Sequence, residues 1–128
     1  MKYLLDTHFI LWLPIGGTGI SRVARAIIDN SANEFQFSVA SLWEIALKRA
    51  RYGSNFAFDP RAIRAEMLHN GYEELPIQGS HVVAVDALPP IHKDPFDRLL
   101  IAQAMIEGIT LFTVDATIAR YPGPIRKV

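Results

Sequence analysis

Asp94-Pro95-Phe96-Asp97-Arg98-Leu99-Leu100-Ile101-Ala102-Gln103-Ala104-Met105-Ile106-Glu107-Gly108-Ile109-Thr110-Leu111-Phe112-Thr113-Val114-Asp115 reads as a helix running straight into a buried strand. Pro95 suits the first helical position, where a missing N–H costs nothing. Leu99, Leu100, Ala102, Gln103 and Ile106 share helical faces, and Gly108 supplies the left-handed stop. Thr110 to Val114 is then the short apolar run of a strand covered on both sides, ended by Asp115.

The same alternation holds in both directions along the chain. Tyr3-Leu4-Leu5 and Phe35-Gln36-Phe37-Ser38-Val39 are further strands. Glu74-Leu75-Pro76-Ile77 is a strand that its proline pushes to an edge or a strand end, and Pro124 to Val128 is a last edge strand. Between them the pattern predicts helices over Phe9–Leu13, after a Ser21 cap (Val23, Ala24, Ile27 and Ile28 on one face), over 41–52, over 60–69 and from Ser80 to Ala87. Residues 14–19, Pro-Ile-Gly-Gly-Thr-Gly, form a loop without the Lys-Ser/Thr of a phosphate-binding P-loop. Strands alternating with helices imply a parallel sheet with right-handed crossovers. No repeat, linker or low-complexity segment interrupts it, so residues 1–128 are expected to form a single domain.

The chain has 128 residues, about half of them apolar, enough for a real core. Thirteen basic residues balance 13 acidic ones, so total charge gives no signal for nucleic acid or an anionic membrane; patches matter more than totals. There is no cysteine, hence neither a disulfide framework nor a thiolate metal site. Asp6 interrupts what would have to be the apolar stretch of a signal peptide, and no window approaches the ~20 apolar residues of a membrane span. A soluble, cytoplasmic protein with no membrane partner is the expectation.

Four acids are placed to meet. Asp6 and Asp115 end strands; Glu44 and Asp97 open helices. In a parallel sheet these positions share one edge, where ligands bind. Each has a structural explanation as well. Asp6 and Asp115 can cap the turns that follow them, Glu44 completes a Ser41-x-x-Glu44 capping box, and Asp97 lies three residues after the cap Asp94. Such caps contribute about 0.5–2 kcal/mol each. Jointly the acids say more, because two unit charges ~4 Å apart repel by about 4 kcal/mol at an effective dielectric of 20. Crowded oxygen ligands without cysteine select Mg²⁺ or Mn²⁺, which makes water a better nucleophile at phosphorus. Spacing presumes the sheet order, so on this ground alone both readings stand.

The stretches Leu4 to Trp12, Ala40 to Ala46 and above all Asp94 to Ala104 resemble the PIN-domain ribonucleases, most closely the VapC-type toxins of bacterial toxin–antitoxin systems. Leu111 to Asp115 continues the match. The resemblance implies a PIN-like α/β/α sandwich with a central, mostly parallel sheet of four to five strands. It also implies a Mg²⁺-dependent (or Mn²⁺-dependent) endoribonuclease, the toxin of a type II toxin–antitoxin system. Carried over by position, the family's catalytic and metal-binding acids fall on Asp6, Glu44, Asp97 and Asp115. Asp6 and Asp97 would be the central ligands, Asp115 would complete the shell, and Glu44 would bind through water or orient it. Thr7 and Thr113 match small hydroxyl positions near the metal. The partners implied are RNA, a VapB-type antitoxin covering the acidic pocket, and a second copy of the chain as a homodimer. The loop at 14–19 departs from the Gly-Asp-Pro type of close relatives.

Other residues remain open between two roles. Lys48 can contact a phosphate or pair with Glu44 at i,i+4, and Arg98 is similarly placed beside Asp97. Trp12 and Trp43 read as core or interface. His8, His69, His81 and His92 receive no chemical role, with His92 the first to test. A phospho-acceptor receiver domain would need adjacent acids after the first strand and an Asp after the middle one; Thr7-His8 and Ile77 stand there instead. A catalytically silent PIN fold is the remaining alternative, against which the presence of all four acids argues.

Overall fold

The structure is a computed structural model that describes residues 1–17 and 19–128. Five strands form one sheet: β1 (Lys2–Leu5), β2 (Glu34–Ser38), β3 (Glu73–Leu75), β4 (Thr110–Thr113) and β5 (Ile125–Lys127), in the order β3-β2-β1-β4-β5. Every neighbouring pair is parallel, with Leu4 opposite both Gln36 and Leu111. The expected sheet is therefore present and wholly parallel, and Pro76 follows an edge strand as its chemistry requires.

The helices are α1 (Thr7–Trp12), α2 (Arg22–Asp29), α3 (Val39–Tyr52), α4 (Pro60–His69), α5 (Gly79–Ala84) and α6 (Pro95–Glu107). They cover both faces of the sheet, and the strand alternation sorts side chains between two cores. Tyr3, Leu5, Phe35, Phe37 and Phe112 pack with Phe9, Ile10, Ile45, Ile63 and Met67 on one face. Leu4 and Leu111 pack with Leu99, Leu100, Ile101 and Ile118 on the other. At about 25 cal/mol per Å² of apolar surface removed from water, these two layers are the main stabilising term. Caps fix the ends of the critical helix: Asp94 Oδ1 accepts from the N–H groups of Phe96 and Asp97, and Gly108 turns left-handed at φ 67°.

Three expectations need correction. Helix α3 starts at Val39, capped by Ser38, whose Oγ accepts from Ala40 N–H; Ser41 is buried inside the helix, so Glu44 belongs to no capping box. The loop expected from Pro14 begins later, because Leu13–Ile15 forms a 3-10 turn ending at left-handed Gly16 (φ 93°); of the rest of that loop, Thr18 lies outside the described residues. Val23 is exposed, and the buried face of α2 centres on Ala24.

The order of strands reverses at the β1–β4 pair: the chain winds outward through β2 and β3 on one side and through β5 on the other. Such a switch point leaves a crevice outside the strand C-termini. Asp6 follows β1 directly, and Asp115 follows β4 by two residues.

Candidate metal centre

Asp6 is the floor of this crevice. It is 1% exposed, and both its oxygens are engaged: Oδ1 accepts from His8 N–H at 2.9 Å and Oδ2 from the Thr113 hydroxyl at 2.5 Å. It is thus both a helix cap and a buried carboxylate in contact with the next strand. A side-chain hydrogen bond to Asp6 raises the pKa of the His8 imidazole against the opposing effect of burial, and the Asp6 charge adds to the rise.

Glu44 reaches the crevice from the second turn of α3. Thr7 Oγ1 donates to its Oε1 at 2.7 Å, while Thr7 also lies 3.0 Å from Ser41 Oγ. Lys48 Nζ donates to Oε2 at 2.9 Å. Burial works against the Lys48 charge, but the hydrogen bond and charge of Glu44 outweigh it and raise the ammonium pKa. Of the two roles left open for Lys48, pairing with Glu44 is the one formed.

Asp97 differs from the other acids. No protein hydrogen bond to its carboxylate is formed among the described residues; His92 Nε2 lies 2.9 Å from Oδ2. Burial, then the charges of Asp94 and Glu44, push its carboxyl up to about 7, with His92 pulling the other way and Asp6 adding to the rise. Asp115 divides its two oxygens. Oδ1 caps the following turn, accepting from Thr117 N–H at 2.7 Å and Ile118 N–H at 3.2 Å, and Oδ2 stands 3.8 Å from His92 Nε2.

The cleft wall therefore includes Thr7, Glu44, Lys48, His92, Asp97 and Asp115, with Asp6 beneath. The ligand-capable atoms of His92, Asp97 and Asp115 all lie within 4.8 Å of one another. Asp94, read as a cap, is one. Arg98 is turned away from the acids: its guanidinium donates to the carbonyls of Pro89, Val85 and Leu88 and to Tyr121 Oη, which fastens the 85–89 segment to α6. Trp43 is 54% exposed and packs edge-to-face on Phe96, so it is not core.

His92 was given no role by its sequence position. Its place in the cleft depends on Tyr121, 29 residues away, whose hydroxyl accepts from His92 N–H at 2.7 Å. The available signal was proximity: His92 precedes the helix cap Asp94 by two residues.

The Asp97 carboxylate and Asp115 Oδ2, which accept no hydrogen bond among the described residues, fit a hard divalent cation, and burial followed by the neighbouring carboxylates makes the charged form of Asp97 costly without one. Comparison with known proteins agrees with the architecture. A family model described as PIN domain matches residues 3–124. No curated protein sequence matches the chain significantly. Among solved structures, the chain is similar to one from the crystal structure of VapBC2 from Rickettsia felis bound to a promoter DNA fragment, with a TM-score of 0.72 and 16% identity over 100% of this chain and 99% of that one. DNA-bound VapBC from Salmonella typhimurium gives 0.64 at 18% identity, covering 99% and 98%. VapBC-1 from nontypeable Haemophilus influenzae gives 0.61 at 19%, covering 94% and 91%. At such identities these likenesses show a shared fold.

Proposed function

The chain belongs to the PIN-domain family, and from that premise we propose that it is a VapC-type toxin, a single PIN domain over residues 1–128 acting in the cytoplasm as a Mg²⁺- or Mn²⁺-dependent endoribonuclease. The observation that carries this reading is Asp97, a carboxylate raised to about 7 in a cleft rich in acceptors at the switch point of a parallel sheet. Asp97 and the free Oδ2 of Asp115 would hold the cation directly. Asp6 and Glu44 would complete the acidic shell, directly or through water. When bound, such an ion supplies charge neutralisation and makes water a better nucleophile at phosphorus.

The chain's own residues prepare that chemistry. Thr113 and the His8 N–H fix Asp6, and Thr7 fixes Glu44, so neither carboxylate must be ordered when substrate arrives. Glu44 is placed to orient the attacking water. Lys48, half-exposed at the mouth, holds positive charge where an RNA backbone would pass.

Partner surfaces support the same assignment. Leu47, Tyr52 and Trp43 are exposed beside the acidic cleft, an apolar margin suited to an antitoxin segment that covers it. Val82 and Val83 on α5 and Met105 and Ile106 on α6 are exposed apolar residues suited to a homodimer contact. Similar solved structures include VapBC assemblies and a toxin–antitoxin complex from Klebsiella pneumoniae, in keeping with a VapB-type partner.

Incubation of the purified protein with total RNA tests the reading. Discrete cleavage products are expected with Mn²⁺ or Mg²⁺, absent with a chelator and absent for Asp6→Asn. Metal-independent cleavage, or equal cleavage by the variant, contradicts it.

A further inference from the structure

Helix α3 turns Trp43, Leu47 and Tyr52 outward, each about half exposed. Neither core of the fold includes them, nor Phe96 at the start of α6. They are not scattered. Leu47, Tyr52, Pro95 and Phe96 line one open pocket of 270 Å³, and Trp43 packs edge-to-face on Phe96 at 5.0 Å. Single exposed apolar residues are ordinary on a surface, but a cluster of them around a concavity marks a place where something binds. The pocket also runs into the acidic cleft, because Glu44, Lys48 and Asp94 line both. A group seated in it lies beside the position of the scissile phosphate.

The charge at the pocket is as informative as its rings. Of the basic residues in the second half of α3, Lys48 pairs with Glu44 and Arg49 with Asp59. Arg51 instead holds its guanidinium 5.4 Å from the centre of the Tyr52 ring, and both residues line the pocket. A flat apolar slot with a guanidinium on its rim matches a nucleotide, whose base presents a π-face and whose phosphate presents anionic oxygens. A purely apolar side chain would fill the slot and leave the cation idle.

We propose that this pocket is a base-stacking subsite of the nuclease: an unpaired RNA base next to the scissile phosphate lies against Tyr52 in the slot closed by Phe96, and Arg51 meets the phosphate on the far side of that base. This rests on the nuclease reading above. Stacking is sequence-tolerant, so the subsite sets the register of the strand and requires an unpaired nucleotide there, without demanding a particular base. An antitoxin segment over the same margin would take the place of that base.

The test uses a short RNA carrying one cleavage site mapped with the full wild-type chain, made with an abasic sugar at each of the two positions on either side of the bond in turn. With Mn²⁺, wild type should lose roughly tenfold in kcat/KM at one of these positions, the scale of one lost stack. Tyr52→Leu keeps apolar bulk and removes the flat ring. It should cleave the intact RNA roughly tenfold more slowly and be indifferent to that abasic position. Tyr52→Phe should behave as wild type, because the ring and not the hydroxyl makes the contact. Both variants should bind Mn²⁺, titrated alone by calorimetry, as wild type does, since no acid is altered. The abasic scan of wild type needs no variant, and indifference at all four positions overturns the proposal. So does an abasic penalty equal in wild type and Tyr52→Leu, or wild-type cleavage of intact RNA by Tyr52→Leu, which leaves the pocket to protein contacts alone. If wild type cleaves no RNA with either metal, the nuclease reading fails and this proposal with it; if wild type cleaves and the scan is flat, this proposal alone fails.

Discussion

Two polar clusters in this fold are built on opposite principles. The first joins Ser38, Gln103, His81 and Glu107 beside the sheet. Ser38 donates to Gln103 Oε1 at 2.5 Å, the Gln103 amide reaches Pro76 O and His81 Nδ1 at 3.3 Å each, Gln78 N–H donates to His81 Nδ1 at 3.0 Å, and His81 Nε2 meets Glu107 at 3.0 Å. Donors match acceptors, and no atom of the cluster is left over among the described residues. The second cluster is the acidic cleft, where, among the described residues, the Asp97 carboxylate and Asp115 Oδ2 accept no hydrogen bond and His92 Nε2 has no aligned partner. A balanced network stabilises a fold; an unbalanced one waits for something from outside. On this difference rests the assignment of one as structural and the other as a site.

The comparison breaks most sharply on activity. Asp97→Asn is expected to lower RNA cleavage at least ~100-fold, more than a residue acting through a ligand normally does. The variant should stay folded by circular dichroism. Retained cleavage would place the site elsewhere.

The balanced cluster should give the reverse outcome. Gln103→Leu leaves Ser38, His81 and Pro76 O without their shared partner, at a cost of about 2–3 kcal/mol for buried groups left unsatisfied. Urea unfolding should show that loss, while Mn²⁺ affinity of the folded variant stays near wild type. A Gln103→Leu protein as stable as wild type would remove the distinction between the clusters.

A smaller effect follows from pH. Asp97 titrates in the folded protein at about 7, above its ordinary value of 3.8. Between those values the folded state retains a proton that the unfolded state has lost, so metal-free stability falls as pH rises from about 4 through 7 and levels off above. Thermal melts should show Asp97→Asn gaining on wild type over that window. Mn²⁺ affinity should run the opposite way, strengthening as pH rises through 7, because the ion requires the carboxylate.

The smallest expected change is at Lys48. Lys48 is half-exposed while its partner Glu44 is buried and keeps its hydrogen bond from Thr7, so Lys48→Ala should lower stability by about 1 kcal/mol. Removing a positive charge beside the cleft should raise Mn²⁺ affinity by roughly threefold. A loss of affinity would mean that Lys48 organises Glu44 and does not merely offset its charge.

How much of this was legible in the sequence depends on how local each determinant is. Helix α6 was readable end to end because Asp94, Pro95 and Gly108 are local signals. The parallel sheet followed from apolar runs too short for helices. The start of α3 was misplaced because Ser38 and Ser41 can both cap, and helical periodicity does not distinguish them when the strand enters the helix without a loop. For the site, strand-end and helix positions identified the acids that the fold brings to one edge. They could not show that Asp6 lies beneath with both oxygens engaged while Asp97 stands free. His92 was the least legible, since a tyrosine 29 residues later sets its position. Position along an element can be read from neighbours in sequence; hydrogen-bond balance depends on residues brought together by the fold.

The central claim is that the acceptor-rich cleft is a cation site whose uncompensated charge is Asp97. Calorimetric titration of Mn²⁺ near pH 7, in two buffers of different ionisation enthalpy, tests it most directly. Wild type should bind with a heat that depends on the buffer, because Asp97 releases its proton as the ion enters, and Asp97→Asn should bind far more weakly with no such dependence. No Mn²⁺ binding by wild type, or equal binding and equal proton release in both proteins, would contradict the claim.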